Sequence, residues 1–453
     1  MARKKWKNWA SFALLFIFLI PVFWMNALGT AEQQAFADWQ ADSSALVLTK
    51  IESSRVNASV DSYGLLVAHP DMFGPFTTID NTDLVESDDV STAYFDYTSQ
   101  LGLMGYFYDS AYTAGCSSLN CLTLLSSTLF SLTLASLTFL IAATTCRSFA
   151  VIFLLSMALS PWITFAGRNL YWSPWTWLLP VCCAALFVLA KRRIYRVAAL
   201  CLVFAAFCIR FASGYEFITS FILMAMSIPL LAAIFAAEPL RKMIRRATAE
   251  SAAILGVSTL AFAVILTIHA SVRGAGSVRE GFATIWTKDI LKRTYGSAAD
   301  FPPELAASLN ANPFLVLQNY IFTWTTDVLT VGIGTPFEIV LGPKSLWVLL
   351  GLTAAVVVVR FHSGDSLYVR DLSLIIVTAA IPLSWFILAK GHSYVHTHIN
   401  FVLWYLFFIA ALCFVIFDFV ATRAVTKGVT RQVAALRLMG SNPVNSQVGS
   451  NRP

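Results

Sequence analysis

Long apolar runs, separated by short polar punctuation, divide the chain into ten stretches that read as helices. They cover about 9–28, 122–144, 149–166, 174–190, 197–211, 217–236, 251–270, 346–359, 372–389 and 399–421. About 20 apolar residues in a helix are enough to cross a hydrocarbon core about 30 Å thick, and a helix satisfies its own backbone polar groups there. The polar residues between the runs sort by sign. Arg147, the Lys191-Arg192-Arg193 group with Arg196, the group Arg241, Lys242, Arg245 and Arg246, then Arg360, and finally Arg423, Lys427 and Arg431 mark every second junction. The intervening turns are short or acidic. By the positive-inside rule this alternation predicts about ten spans with both termini in the cytoplasm. The basic start, Met1-Ala-Arg-Lys-Lys-Trp-Lys, followed by an apolar run without a clean small-residue cleavage site, reads as an uncleaved first helix.

Two long segments interrupt the pattern. Residues 29–120 carry thirteen Asp or Glu against Lys50 and Arg55, an excess of eleven negative charges, and are placed on the extracytoplasmic side. Within them, Val60 to Leu66 reads as a short amphipathic turn, and the aromatic stretch Tyr94 to Tyr106 as an interfacial segment. Residues 271–343 form the second such loop, in which 313–340 is apolar in patches but broken by Asp327 and glycines, as in a re-entrant or interfacial stretch. The expected organisation is a single transmembrane domain over 1–431, with a cytoplasmic tail, 432–453, whose Ser/Asn/Gly-rich end from about Gly440 reads as disordered.

Composition agrees with the pattern. Of 453 residues 57% are hydrophobic and 12% charged, against about 25% charged in soluble globular proteins. The expected class is therefore an all-α polytopic membrane protein, located in the cell's inner or plasma membrane. The net charge of +6 follows from the basic junctions and gives no reason to expect a nucleic-acid partner. No phosphate-binding or dinucleotide glycine motif and no Cys/His zinc spacing occurs. Six of the eight cysteines lie in or beside apolar runs, whereas Cys116 and Cys121, with four residues between them on the oxidising side, are spaced to form a bridge.

Chemistry-bearing residues gather at the predicted outer ends of the runs. Lys390-Gly-His392-Ser-Tyr394-Val-His396-Thr-His398-Ile-Asn400 holds three of the six histidines. As a helix it puts His392 and His396 on one face; as an extended segment it lines up all three with Tyr394 and Asn400. Arg210 stands near the outer end of an apolar span, where a guanidinium is costly unless paired or facing a wet cavity. It is expected either to pair with Glu216, to snorkel, or to bind an anion; Arg168 is a second cation on the same face. Tyr171, Trp172 and Trp175 read as an interfacial aromatic belt. Most of the acidic set, Glu52 included, reads as solvating charge.

The chain resembles the C-type (GT-C) glycosyltransferase superfamily, multi-spanning enzymes that use polyprenyl-phosphate sugars. The resemblance covers about Met1 to Arg431 and rests on the first helix with its large acidic outer loop and on a second outer loop in the C-terminal half. Its short segments are Tyr97-Thr-Ser-Gln100-Leu-Gly-Leu103, Arg210-Phe-Ala-Ser-Gly-Tyr-Glu216 and Gly391-His-Ser-Tyr-Val-His-Thr-His398. It implies an inverting transfer of sugar from a polyprenyl-phosphate donor to a glycan, lipid or protein acceptor at the extracytoplasmic face. Arg210, Arg168, His392, His396 and His398 would then hold the donor phosphate, the three histidines alternatively binding a divalent metal ion. Asp61 is the expected general base, with Glu216 and Asp96 in reserve. Many superfamily members carry an acidic pair close to the first helix; here Glu32 is the nearest acid, and the first pair is Asp88-Asp89. Alternatives are a polysaccharide polymerase or ligase, a non-catalytic scaffold of envelope assembly, and a transporter, against which charges confined to span ends argue.

Overall fold

The computed structural model describes residues 2–58, 63–68, 81–87, 93–236, 240–322, 327–396 and 399–440. Helix α1 (Ala2–Trp24) leads into a first loop region with α2 (Gln33–Arg55), strand β1 (Leu66–Val67), α3 (Asp83–Glu86), β2 (Phe95–Asp96) and α4 (Leu103–Thr113). The bundle continues through α5 (Leu119–Thr144), α6 (Arg147–Ala158), α7 (Pro161–Arg168), α8 (Trp175–Leu189), α9 (Arg193–Ser213), α10 (Ile218–Ile234) and α11 (Leu240–Arg273). A second loop region follows: α12 (Val278–Thr284), a π-helical turn (Ile285–Ile290), α13 (Leu291–Arg293), α14 (Ala306–Asn310), α15 (Pro313–Phe322) and a hairpin of β3 (Leu329–Val331) and β4 (Ile339–Leu341). Then come α16 (Lys344–His362), α17 (Leu367–Leu388), α18 (Lys390–Val395), a 3-10 stretch (Ile399–Tyr405) and α19 (Phe408–Gly440).

Among the described residues six helical stretches are long and apolar enough to cross a membrane: Leu119–Thr144, Arg193–Ser213, Arg241–Arg273, Lys344–His362, Leu367–Leu388 and Ile399–Ala424. The chain is thus a predominantly helical protein of the kind that spans membranes. Trp9–Trp24, Trp175–Leu189 and Ile218–Ile234 are apolar but shorter. The expected third span is broken instead of continuous, with α6 and α7 bent by 73°. Leu159-Ser160-Pro161 is the reason. Proline has no N–H to continue α6 but fits the first turn of a new helix, and the Ser160 hydroxyl caps that helix by accepting from the Ile163 N–H at 3.2 Å. The Leu159 carbonyl accepts from the Thr330 N–H of β3 at 3.1 Å. A broken helix at membrane depth needs such internal partners.

The loop regions meet at one end of the bundle, the loop end, and the basic junctions lie at the other. At the basic end, Arg360 is 1% exposed and joins three helices: it pairs with Asp371 of α17, with Asp418 of α19 at 3.0 Å and with Asp365 at 3.4 Å. Arg370 bridges the same two helices, 2.8 Å from Asp371 and 2.5 Å from Asp418. Buried charge is tolerated there because each ion meets more than one partner of opposite sign.

The first loop is more ordered than its polar composition suggests. Helix α2, in a stretch whose polar composition predicts loop, buries Ala45, Leu48 and Ile51 against Met104 and Tyr108 of α4 and Leu122 of α5, a small core of its own. The segment read as an amphipathic turn contributes β1, and the aromatic segment contributes β2 and the start of α4. Leu66 pairs with Asp96 and Val67 with Phe95. This close approach needs glycine: a Cβ on Gly105 would lie 1.4 Å from the Gly64 carbonyl oxygen, and Gly102 has a positive φ of 73°. Cys116 and Cys121 form the expected disulfide. The tail beyond residue 440 lies outside the described residues.

Candidate functional site

Arg210 occupies the last turn of α9 and is 3% exposed. One Nη donates to the backbone carbonyl of Glu216 at 2.8 Å, and the guanidinium lies 5.0 Å from the centre of the Phe221 ring. The pairing foreseen with Glu216 therefore runs through its backbone. The short turn between α9 and α10 makes this possible, with Phe217 in the left-handed region at φ 60°. Gly214 leaves room for the carboxylate: a Cβ there would sit 2.5 Å from Glu216 Oε2 and 2.7 Å from Gln100 Oε1.

The Glu216 carboxylate accepts from the Tyr171 hydroxyl at 2.7 Å. Burial first, and then the negative charge of Glu216, push the Tyr171 phenol well above its usual pKa. The three residues expected as an aromatic belt are half-buried, each with a partner inside the protein. Tyr171 points at a carboxylate, Trp172 packs on Trp177 and Phe217 at 5.7 and 5.8 Å, and Trp175 packs on Phe107 at 5.8 Å. These rings stack into the protein because the α7–α8 turn is covered by α4 and by the start of α10.

The second loop region adds residues the sequence reading did not single out. Arg293 feels Tyr97, Glu216, Asp289 and Tyr171; burial opposes its charge, but these groups outweigh burial and hold its pKa above the usual value. Its guanidinium is 3.7 Å from Asp289 Oδ1. That same oxygen accepts from the Ser99 hydroxyl at 3.0 Å, tying the second loop to the first. His269, in the last turn of α11, bridges in the same way, with Nδ1 3.1 Å from the Tyr215 hydroxyl and Nε2 3.1 Å from the Thr98 carbonyl. A carbonyl only accepts, so Nε2 carries the proton and Nδ1 accepts from the phenol. The rule that marked Arg210, an ionisable group near the end of an apolar span, would have found His269 too. Asp289 and Arg293 carried only the signal of an i, i+4 charge pair, common on solvated helices, while their other partners, Ser99 and Glu216, lie far away in sequence.

The histidine turn is helical. His392 and His396 share a face with ring centres 4.7 Å apart, and His392 also packs on Trp385 at 5.4 Å and Phe217 at 6.3 Å. Lys390 anchors the turn to the second loop by donating to the Leu309 and Ala311 carbonyls at 2.5 and 2.6 Å, and burial lowers its pKa. Gly391 packs on α13, where a Cβ would lie 2.9 Å from the Lys292 carbonyl oxygen. The turn therefore reaches Phe217, next to the Glu216 site. Arg168 is held elsewhere, donating to the Trp24 carbonyl at the end of α1 at 3.4 Å. Asp96 is exposed on β2. Asp61 and His398 lie outside the described residues. No group of three His, Cys, Asp or Glu side chains able to hold a metal ion occurs among the described residues.

An open groove of about 830 Å³ lies away from this cluster, between α1, α5 and α8 and lined by Trp9, Phe12, Leu132, Phe139, Leu179 and Leu186. A small cavity of about 20 Å³ sits nearer, bounded by Trp162, Asn169, Trp172 and Val402. Comparison with protein-family models, with curated proteins and with solved structures yields no match.

Proposed function

We propose that the chain is an integral membrane glycosyltransferase of the inverting kind. It has about ten spans and both termini in the cytoplasm, and it moves a sugar from a polyprenyl-phosphate donor to an envelope glycan, lipid or protein at its loop end, the extracytoplasmic face. The observation that carries this reading is a buried guanidinium with capacity to spare. Arg210 Nε has no hydrogen-bond partner among the described residues, and a second guanidinium, Arg293 of the second loop region, faces the same Glu216. One cation at the end of an apolar helix and a second from the loop above it meet the need of a lipid-linked phosphate, whose chain stays in the bilayer while its charge sits at the rim.

In this mechanism the donor enters sideways from lipid. Arg210, supported by Arg293 and by His392, His396 and His398, stabilises charge on the departing phosphate, an effect of several kcal/mol in a dry site; Arg168, held at the end of α1, could join only by leaving the Trp24 carbonyl. A carboxylate takes the acceptor proton, contributing roughly 10²–10⁴-fold; Asp61 is the first choice, with Glu216 and Asp96 behind it. A divalent metal on the histidines is the alternative source of positive charge. Replacing Arg210 by Ala should weaken donor binding and turnover together, while Asp61→Asn should lower turnover at retained donor binding. Undiminished transfer after Arg210 and all three histidines are replaced would sink the cradle.

A second reading, a non-catalytic scaffold of envelope assembly, is favoured by one observation: Arg210 already meets the Glu216 carbonyl and the Phe221 ring, and Glu216 already meets Tyr171. The same assay decides, because a scaffold consumes no donor.

A further inference from the structure

Three polar atoms at the loop end lack a hydrogen-bond partner among the described residues although they are shut away from solvent: the Tyr63 hydroxyl, Arg273 Nε and Asp289 Oδ2. Their neighbours bring them to one place. Asp289 Oδ1 is bonded to Ser99, and the adjacent Thr98 gives its carbonyl to His269. The Tyr63 ring meets His269 edge-on at 6.2 Å, and Tyr215 stacks on the same imidazole at 5.6 Å and 29°. Arg273 follows His269 by one turn of α11. Tyr63 is 6% exposed and Asp289 8%. Asp289 belongs to the π-helical turn, a rare distortion that is frequent at functional sites. Burial first raises the Tyr63 phenol, with Arg273 opposing and Asp96 and Asp289 adding to it.

Buried polar atoms without partners are costly, and their convergence here selects a ligand. An anion would meet Asp289, and a cation would meet Arg273 and Arg293. A neutral group that donates to the carboxylate and accepts from phenol and guanidinium satisfies all three, which is the description of an alcohol.

We propose that Tyr63, Arg273 and Asp289 form a subsite for a carbohydrate hydroxyl, the acceptor of the transfer, with Asp289 Oδ2, in place of Asp61, receiving its proton. The assignment rests on the glycosyltransferase reading for its role and on these orphaned atoms for its place. In the step, the acceptor O–H proton passes to Asp289 as the acceptor oxygen bonds to the anomeric carbon. The bond from that carbon to the phosphate oxygen breaks, and its electron pair leaves with the polyprenyl phosphate. Arg293, 3.7 Å from Asp289 and also facing Glu216, connects this subsite to the donor side.

The test is saturation-transfer NMR on the full chain in lipid nanodiscs, with methyl glucoside, galactoside and mannoside as probes and no donor present. At least one glycoside should bind, and Tyr63→Phe and Asp289→Asn should each weaken it at least tenfold. Asp109→Asn, which alters a carboxylate bonded to Ser54, should leave it unchanged. Absence of signal from every glycoside, or wild-type binding by both variants, overturns the subsite. If Asp289→Asn fails to fold, Tyr63→Phe decides alone, since it removes a single oxygen. Binding is read without donor, so it stands even if no transfer is ever seen. Transfer at an unchanged rate by both variants overturns the subsite and leaves the transferase reading intact.

Discussion

Gly105→Ala sets two effects of opposite sign against each other. Gly105 lies in the first turn of α4. Helix propensity alone predicts a gain of about 1 kcal/mol for alanine. The structure predicts a loss. The new Cβ would lie 1.4 Å from the Gly64 carbonyl oxygen and 2.5 Å from its carbon, and both atoms are backbone. No rotamer change relieves that contact; the segment carrying Gly64 has to retreat by about 2 Å to reach an ordinary separation of about 3.5 Å. Overpacking of this kind costs about 1–3 kcal/mol. The retreat also breaks the bonds from Gly64 N to Leu101 O and from Tyr97 N to Leu65 O, both 3.0 Å, at about 1 kcal/mol each. Subtracting the propensity gain leaves a net local loss of about 2–4 kcal/mol, or about 30-fold faster exchange at the least, at 1.4 kcal/mol per tenfold. Hydrogen exchange with mass spectrometry, on peptides covering 63–67 and 94–108, reads this directly. Gly256→Ala on α11, where a Cβ meets nothing within 4 Å, is the control and should be neutral or slightly stabilising. Unchanged protection at 63–67 in the Gly105 variant would refute the backbone contact.

Three further outcomes are expected. Reducing Cys116–Cys121 should cost only about 1–3 kcal/mol because the closed loop is short; mass spectrometry finding both thiols free in protein purified without reductant would contradict the bridge. Asp371→Asn should destabilise by about 3 kcal/mol, the low end for a broken buried pair because Asp418 still faces Arg360; an unchanged thermal midpoint in detergent would count against the network. Tyr171 has a folded-state pKa above the 10.0 of the free phenol, so its contribution to stability is complete below about pH 10 and is lost as pH rises from there. The free energy of unfolding measured from pH 9 to 11.5 should therefore fall less steeply for Tyr171→Phe, and equal slopes in variant and parent would contradict the assignment.

The parts of the fold that read easily from sequence are those set by lipid and by local spacing. An apolar run in a bilayer has few options besides a helix, so the runs fall on helices. His392 and His396 meet because they are four residues apart, and Cys116 and Cys121 because five positions allow the chain to turn back. Helix α2 was hidden because its apolar residues are sparse and gain their meaning from Met104 and Tyr108, supplied by α4. The break at Ser160-Pro161 was visible as a cap and a proline, but its tolerance depends on β3 reaching Leu159. Arg210 and Glu216 are linked across one short turn and were foreseen together. Asp289 was not, because its bond to Ser99 spans 190 residues, and no periodicity encodes a contact of that range. Tyr171 shows the same limit: an aromatic residue beside a span suits the membrane interface by type, and only the fold of the α9–α10 turn adds its bond to Glu216.

The central claim is sugar transfer from a lipid-linked donor, and the direct measurement follows the donor itself. The full chain in nanodiscs is incubated with sugar-labelled polyprenyl-phosphate donors and with envelope glycan, lipid and protein fractions as acceptors. The account predicts that label leaves one donor for one acceptor class, with free polyprenyl phosphate released in equal amount, and that Arg210→Ala reduces both together. Folded protein that consumes none of the donors, or that releases polyprenyl phosphate equally well without Arg210, would contradict it.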